Sequence, residues 1–444
     1  MKSGLEAHGD AALLNDLRQP AWRSASWAGR LEGRIGRGLA ELLFLEPHWR
    51  ALAARAVPPR FIHAFEWHMA YLQHLANDAH AIHYVSLFAH GQTVAIFPLR
   101  HVRRSVGGIQ LALWELPTHP HLILCEPLLA PECSGSGLFQ QVAAILGRQT
   151  KLPWDALHLP NLPDDSPALW SLRAGPPVGT HLERTGQSMY FRCTDPATAL
   201  ARCSGQFKRN LRRQGRLLAR RGAVSLSFAR AGSELDAAFE DFLRLEASGW
   251  KGAAGRATAI SLHPHLRGFY GELKTRFAAA DACLIALLKV DGVAIAAQFC
   301  LLAGHTLSIQ KIAYDETWHA EAPGSQLLLK TIEYCCAEPG IRHLSLVTAP
   351  EWAVGRWNPE IQEVWEAYVF RASLRGFGGL AMRRLKNCFS AESGILPAAG
   401  AGIGVGIGAG IANSIADQPP PAHPPESGVV ESLAGPLAAF LLPP

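Results

Sequence analysis

Residues 305–337 read HTLSIQKIAYDETWHAEAPGSQLLLKTIEYCCA, and this stretch decides which fold we expect for the chain. Its first part alternates apolar and polar residues, which predicts a strand that ends near Tyr314. A polar loop follows, and the sequence Ala-Pro-Gly-Ser then opens a helix that we expect to run from Gly324 to Ala337. The order strand, loop and helix places the start of this helix at one edge of a sheet.

The helix start has the composition of an anion site. Pro323 suits a first helical turn, because the N–H that it lacks would be unpaired there. Gly324 lets a ligand approach the backbone closely. The N–H groups of Gly324, Ser325, Gln326 and Leu327 lie at the positive end of the helix dipole. We therefore predict that Pro323, Gly324, Ser325 and Gln326 hold a phosphate group, and a plainly capped helix is the alternative.

Two hairpins indicate an internal repeat. Residues 82–102 predict two strands joined at His90-Gly91, and residues 283–304 predict two strands joined at Asp291-Gly292. A helix precedes each hairpin, and a further strand follows each one. Identity between the two segments is low, but the order of elements is the same, so we expect two halves with one fold.

Composition favours a globular protein of two domains. The 444 residues are 48% hydrophobic and 18% charged, and the formal charge of +5 is too mild to indicate nucleic acid by itself. The nine cysteines form no CxxC pair, and several lie in apolar runs, so we expect buried free thiols in a reducing compartment. The first twenty residues lack the pattern of a signal peptide, and we therefore expect a cytoplasmic protein.

Several short motifs appear in a fixed order. They are WKG at 250–252, DGVAIAAQF at 291–299, KIAYDE at 311–316, APGSQLL at 322–328 and GRW at 355–357, preceded by a basic segment at 207–222. This order resembles the GNAT-superfamily acetyltransferase domain of CelD-like proteins of cellulose and exopolysaccharide biosynthesis, which are distant relatives of FemAB-type peptidyltransferases. EPHWRAL at 46–52 and FEWHMAYL at 65–72 look like the N-terminal pattern of that family. The chain departs from the usual Q/R-x-x-G-x-G/A loop, of which only Gly324 remains, and Arg356 stands where the family usually has lysine.

The resemblance implies an α+β fold of the GNAT type, with two tandem GNAT-like domains that each contain a mixed, mostly antiparallel sheet flanked by helices. We expect residues 1–59 to form a helical and irregular lead-in, residues 60–200 the N-terminal domain, and residues 201–390 the C-terminal acyltransferase domain. The resemblance also implies acetyl-CoA or another acyl-CoA as donor. The acceptor would be the amine or hydroxyl of a small molecule or saccharide, in polysaccharide or cell-envelope precursor biosynthesis. A FemAB-type transferase that uses aminoacyl-tRNA and a non-catalytic scaffold of an exopolysaccharide system remain as alternatives.

Acyl transfer needs a base, a polarised thioester carbonyl and a stabilised oxyanion. Carboxylates near the motifs are the candidate bases, namely Glu246, Asp315, Glu316 and Glu351. Glu246 is the first choice because it lies four residues before the tryptophan of WKG, although each carboxylate could instead lie on a solvated face. The backbone of residues 307–313 is the candidate oxyanion site if that strand is splayed. The candidate acceptor-binding residues are Trp250, Lys251, Gln298, Lys311 and Arg356.

The basic segment 207–221 predicts a helix that carries Arg209, Arg212, Arg213, Arg216 and Arg220 on one face. We expect either a weak contact with an anionic surface, polymer or coenzyme A phosphate, or a solvated face. The segment has no interleaved aromatics, and we found no nucleic-acid motif, so we expect no nucleic-acid partner. The nineteen histidines are scattered, as in HPH at 119–121, without HExxH or finger spacing, so we expect no metal.

The C-terminal tail, residues 391–444, is rich in glycine, alanine and proline. Residues 394–416 carry no charge and are long enough to span a membrane, but seven of them are glycines, which form helices poorly. We therefore expect a disordered tail that is dispensable for folding.

Overall fold

The computed structural model describes residues 31–106, 108–133, 137–349 and 351–392. Within these residues the protein is an α+β structure built on one mixed sheet. The first half of the chain contains β1 (Glu32–Arg37), α1 (Gly38–Ala53), α2 (Phe65–Ala70), β2 (Ile82–Ala89), β3 (Gln92–Val106), β4 (Ile109–Glu115), β5 (Leu128–Leu129), α3 (Leu138–Gln149), β6 (Ala156–Pro163), α4 (Pro167–Ala174), β7 (Thr180–Arg192) and α5 (Pro196–Ala199).

The second half repeats this succession of helices and strands. It contains α6 (Gly205–Arg221), β8 (Val224–Ala229), α7 (Gly232–Ser248), α8 (Pro264–Ala279), β9 (Cys283–Val290), β10 (Val293–Ala303), β11 (Thr306–Tyr314), α9 (Pro323–Ala337), β12 (His343–Ser345), α10 (Glu351–Trp357), β13 (Glu360–Phe370) and α11 (Leu374–Glu392). The tail beyond these elements, including residues 394–416, lies outside the described residues.

The strand order of the sheet is symmetric about its centre, because the two halves contribute equivalent strands in mirrored order. The strands follow the order β1-β2-β3-β4-β6-β13-β7-β12-β11-β10-β9-β8, and β5 pairs with β3 beside this path. Matching β1 to β4 with β8 to β11, β6 with β12, and β7 with β13 superimposes one half of the order on the other. The prediction of two tandem GNAT-like halves with one fold is therefore confirmed.

Each half gives its last strand to the other half. β7 lies between β13 and β12, and β13 lies between β6 and β7. Residues 180–192 form β7 at the centre of the sheet, a strand that the sequence analysis did not predict. Within the predicted lead-in, β1 pairs with β2 and so extends the sheet of the first half. The domain boundaries themselves remain predictions.

The two predicted hairpin turns are confirmed. His90 and Gly91 have φ values of 49° and 76°, and Asp291 and Gly292 have values of 49° and 80°. Two successive left-handed residues form the tight turn that matches the twist of the flanking strands. The register supports this, because Ala89 pairs with Gln92 and Val290 pairs with Val293.

The two faces of the second-half sheet bury different helices. On β10, Phe299 packs against Phe242 of α7 and Tyr270 of α8, with ring centroids 5.8 and 5.5 Å apart. The preceding residue, Gln298, faces the opposite side and accepts a hydrogen bond of 2.7 Å from Thr331 of α9. The candidate site lies where β11 passes between these two layers.

The described cysteines are free, and all but Cys336 are buried, as the sequence predicted. None of the helices in the described part of the chain combines the length and apolarity needed to span a bilayer.

Candidate active site

The N-terminus of α9 opens into a cavity. The helix begins at Pro323, after Ala322 in a left-handed conformation with φ of 48°. Among the described residues, no group accepts a hydrogen bond from the N–H of Gly324 or Ser325. These two N–H groups lie at the positive end of the helix dipole, so the arrangement favours an anion there.

Gln326 differs from the expectation. Its N–H donates to the carbonyl oxygen of Ala322 at 3.0 Å, and its side-chain Nε2 donates to the carbonyl oxygen of Leu211 at 2.9 Å. Both donors are therefore occupied within the fold. Gln326 joins α9 to α6 and leaves the anion position to Gly324 and Ser325.

The cavity has a volume of about 310 Å³. Its walls come from the start of α6, from the end of β11, from α9 and from α10. Phe207 and Asn210 belong to the first wall, Tyr314 to the second, and Arg356 to the last. Arg356 was predicted to bind the acceptor, but it lies on the same side of the sheet as the start of α9.

β11 and β12 separate beside this cavity. They pair in parallel only where residues 306–308 meet residues 343–345. A bulge then inserts Gln310 into β11, and the strand continues to Tyr314. On this side of β11, no described strand pairs with residues 309–314. The condition set for residues 307–313, that the strand is splayed, is thus met only after Ser308.

The first half has no equivalent gap among its described residues. β4 pairs with β6 at its last three residues, from Leu113 to Glu115, and the N–H of Leu116 also bonds to β6. The corresponding position in the second half is the open part of β11. The two halves share a fold, but β11 and β12 separate beside the start of α9, whereas β4 stays paired with β6 to its last residue.

Lys311 lies on the opposite face of β11 from the cavity. It pairs with Phe299, which packs on α7 and α8, and only 7% of its surface is exposed. Burial, followed by the repulsion of Lys251, lowers the pKa of Lys311 to about 7, although Glu246 acts in the other direction. No described residue accepts a hydrogen bond from its Nζ. Lys311 is thus a buried amine that is partly uncharged near neutral pH.

Glu246 is held by two donors. Its Oε1 lies 3.3 Å from Nζ of Lys251, and its Oε2 accepts a hydrogen bond of 2.7 Å from the N–H of Ile260. The structure brings together Glu246, a candidate base, and Lys251 and Lys311, two candidate acceptor-binding residues. Gln298 does not join them, because it faces α9.

The other candidate bases have local roles. Asp315 accepts hydrogen bonds from the N–H and the hydroxyl of Thr317 and so caps a short 3-10 helix. Glu316 is exposed and accepts from the N–H of Trp250 at 3.4 Å. The side chain of Glu351 lies outside the described residues. Nζ of Lys251 lies over the ring of Trp250, 5.6 Å from the ring centroid.

Two histidines of the first half, His119 and His121, lie close to Lys311 and Tyr270 of the second half. The sequence did not indicate them as site residues. Nδ1 of His121 lies 2.8 Å from the hydroxyl of Tyr270, and His119 lies beside it with ring centroids 5.5 Å apart. Burial and then His265 and Lys311 lower the pKa of His119 to about 4. The HPH motif was considered only for metal binding, for which its spacing is unsuited. Within the described residues, no group of three or more His, Cys, Asp or Glu side chains is placed to hold a metal ion.

Comparison with known proteins agrees with this geometry. Residues 205–355 match the family model described as an acetyltransferase (GNAT) domain. This segment is thus similar to GNAT-type acetyltransferase domains. It contains α6, the splayed strand β11 and the start of α9, which are the elements that form the cavity. No curated protein matches the sequence significantly.

Several solved structures are similar to this chain over about three quarters of its length. The crystal structure of FemX matches with a TM-score of 0.50 and 10% identity, covering 76% of this chain and 97% of that one. L-PGS from Bacillus licheniformis matches with a TM-score of 0.43 and 13% identity, covering 76% and 96%. A tandem GNAT protein from the clavulanic acid biosynthesis pathway matches with 0.41 and 14%, covering 76% and 98%. At such identities the likeness to FemX concerns the fold alone.

Proposed function

We propose that the protein is an acyl-CoA-dependent N- or O-acyltransferase whose active site lies in the second half. The observation that carries the proposal is the gap between β11 and β12, which opens at the N-terminus of α9. In this proposal the pyrophosphate of the donor accepts hydrogen bonds from the N–H groups of Gly324 and Ser325. The donor arm then follows the unpaired edge of β11 and brings the thioester into the gap.

The unpaired edge of β11 supplies groups for the transition state. Backbone N–H groups of residues 309–314 that do not pair with β10 point into the gap and are candidate donors to the oxyanion. Preorganised donors of this kind stabilise the tetrahedral intermediate without reorganising during the reaction.

Lys311 is the proposed proton acceptor. The acceptor amine or hydroxyl attacks the thioester carbon, a C–N or C–O bond forms, and the C–S bond then breaks. The proton of the nucleophile passes to the neutral Nζ of Lys311 and finally to the leaving thiolate. Glu246 fixes Lys251 beside it, so both remain proposed site residues.

In this proposal the acceptor is an amine or hydroxyl compound that reaches Lys311 from the face of β11 opposite the cavity. It enters between the two halves, because His119 and His121 of the first half lie beside Tyr270 and Lys311 of the second half. The resemblance to CelD-like proteins makes a saccharide or a cell-envelope precursor the proposed class of acceptor. The two alternatives, a tRNA-dependent transferase and a non-catalytic scaffold, can be distinguished from this proposal by testing whether the protein binds coenzyme A, tRNA or neither.

Calorimetry with coenzyme A, desulfo-coenzyme A and tRNA tests the donor site. We expect coenzyme A to bind the wild-type chain and the Gly324→Glu variant to bind it at least about tenfold more weakly, because the new carboxylate repels phosphate at the helix end, where the dipole alone is worth about 0.3–1 kcal/mol. Gly340→Glu is the matched control, since a side chain there meets open space at the other end of α9. Equal binding by wild type and Gly324→Glu would refute the assignment, and binding of tRNA alone would favour the tRNA-dependent alternative.

A further inference from the structure

An uncompensated row of arginines follows the outer face of α6. The side chains of Arg209, Arg212, Arg213, Arg216 and Arg220 are all exposed. Their spacing of three and four residues places them on one stripe, which is about 16 Å long at 1.5 Å per residue. Among the described residues, no carboxylate forms an ion pair with any of the five. We call this row the arginine stripe.

The arginine stripe borders the mouth of the donor cavity. The same helix presents Gln206, Asn210 and Gln214 to the cavity. Arg209 donates a hydrogen bond of 2.7 Å to the side-chain oxygen of Gln206, and Arg213 lies three residues after Asn210 and so next to it on the helix surface. Gln326 ties α6 to α9 through the carbonyl oxygen of Leu211, so the position of the stripe relative to the anion site is fixed. A partner bound to the stripe would therefore stand beside the opening.

The size of the stripe favours an occupant that is larger than a small donor. The row of five arginines is about 16 Å long, and none of the five lines the cavity, so a donor held in the cavity leaves most of the row uncovered. The cavity of about 310 Å³ lies at the small end of ligand pockets, which range from about 300 to 1,000 Å³, and suits a slender arm better than a whole nucleotide.

The chemistry of α6 favours a protein over a membrane or RNA. None of the exposed large apolar side chains of the described chain lies on α6, so the helix has no group to insert into lipid. Its one aromatic residue, Phe207, packs edge-on against Trp357 at 5.0 Å and is not available for base stacking. The arginine stripe therefore offers positive charge alone, which complements the surface of an acidic protein.

Resting on the proposed acyl transfer, we propose that the acyl donor is delivered by an acidic acyl carrier protein, which docks on the arginine stripe. Its phosphopantetheine arm enters the cavity, and the single phosphate of that arm binds at Gly324 and Ser325. The acyl group leaves the sulfur of the arm for the acceptor amine or hydroxyl, and the carrier departs with a free thiol that carries the released proton. Coenzyme A contains the same arm, so both donors share the inner site and differ at the stripe.

The test compares binding of two probes, a bacterial acyl carrier protein in its phosphopantetheinylated form and coenzyme A. We expect the full chain to bind the carrier, and Arg212→Glu with Arg216→Glu to weaken that binding at least about tenfold while changing coenzyme A affinity less than about twofold. Carrier binding should also fall between about 50 and 300 mM salt, because exposed charges are screened. The control is Arg103→Glu with Arg375→Glu, which makes the same change of charge at exposed positions of the first-half sheet and α11.

Several outcomes would overturn the inference. If coenzyme A binds and the carrier does not, the inference fails while the proposed function stands. Equal loss of both probes in Arg212→Glu with Arg216→Glu, at an unchanged melting temperature, would assign the stripe to coenzyme A itself. Binding of tRNA that is tighter than that of the carrier, and that is lost in the same variant, would assign the stripe to RNA. If neither probe binds the wild-type chain, the donor site fails together with the proposed function.

Discussion

Lys311 concentrates the proposed chemistry in one side chain. Its ammonium form is disfavoured by burial and by Lys251, and its pKa falls to about 7. A general base is most effective when its pKa lies near the working pH. The side chain is therefore uncharged in a large part of the molecules at neutral pH, while the hydroxyl of Tyr270 and the ring of His121 remain neutral beside it.

We expect Lys311→Arg to lose activity by about 10² or more, since a guanidinium keeps the charge but cannot accept a proton. The wild-type rate with an amine or hydroxyl acceptor should rise with pH and level off above about 7, because the base is active when it is deprotonated. Initial rates between pH 5.5 and 9 measure both effects, with donor binding by calorimetry as the control for folding. A variant that keeps the wild-type rate would show that another group takes the proton.

Among individual residues, the sequence predicted those at the proposed donor site better than those around Lys311 on the opposite face of β11. The order Pro323-Gly324-Ser325 is local, and local turn chemistry was enough to place the helix start. The sequence also singled out Glu246, Lys251 and Lys311. It missed His119, His121 and Tyr270, because their meeting depends on how two distant segments pack, and no spacing within either segment records that.

Among the elements, the exchanged strand β13 is anchored by a buried charge network. His158 of β6 binds Glu115 of β4 at 3.2 Å and Glu366 of β13 at 2.7 Å, and its ring stacks on Tyr368 at 4.2 Å. Burial alone would lower the pKa of His158, but its hydrogen bonds to both carboxylates raise it. Burial likewise opposes ionisation of Glu115 and Glu366, yet their bonds to His158 and nearby arginines lower both pKa values to about 2.

These shifts predict a window of maximal stability. The contribution of His158 is fully present below its unfolded pKa of about 6.5 and is lost as pH rises through its higher folded pKa. The contributions of Glu115 and Glu366 are present above about pH 4.5 and are lost as pH falls toward 2. We expect His158→Gln to cost about 3 kcal/mol near pH 6, since it leaves two buried carboxylates short of a partner.

Urea unfolding of wild type and His158→Gln from pH 4 to 9 measures this effect. The difference in the free energy of unfolding should be largest near pH 6 and should shrink toward pH 9. His80→Gln, at an exposed histidine, is the control and should change stability by less than about 0.5 kcal/mol. A difference that does not vary with pH would mean that His158 acts through packing alone.

The sequence predicted most of the helices and the hairpins, but not the exchange of the last strands. Both hairpins carry their own turn residues, and α6 has a clear basic pattern, so each could be read locally. β7 has mixed polar and apolar residues on both faces, and no pattern within its sequence indicates that it pairs with β12 and β13. Pairing between strands far apart in the chain is set by the whole sheet, which explains why the sequence did not predict β7.

For the whole molecule, the sequence predicts that the C-terminal tail is dispensable. Residues 395–444 lack periodic apolar patterning and are rich in glycine and proline. We expect a chain that ends at Ser393 to keep the melting temperature of the full chain within about 2 °C. Calorimetric scans of both chains at equal concentration measure this, and a clear drop would show that the tail packs on the described part.

The strand exchange makes a sharper prediction about where the molecule can be divided. β7 belongs to the first half in sequence, yet Met189, Phe191 and Cys193 are buried in the core of the second half, and β7 covers the edge of β12. Residues 201–392 alone would lack this strand, expose an unpaired edge and lose several buried apolar side chains, each worth about 2–5 kcal/mol when removed. We therefore expect residues 201–392 to be insoluble or to unfold without cooperativity.

The matched control is the fragment 176–392, which begins before β7 and so retains the order β13-β7-β12-β11-β10-β9-β8 as one continuous sheet. We expect this fragment to be soluble, to unfold in a single cooperative transition in urea, and to bind coenzyme A, because every wall of the donor cavity lies within it. The two fragments differ by 25 residues, of which β7 is the main structural element, so their comparison isolates the exchanged strand. If residues 201–392 prove as stable as residues 176–392, the second half does not depend on β7, and the exchange is a feature of the sheet without a role in its folding.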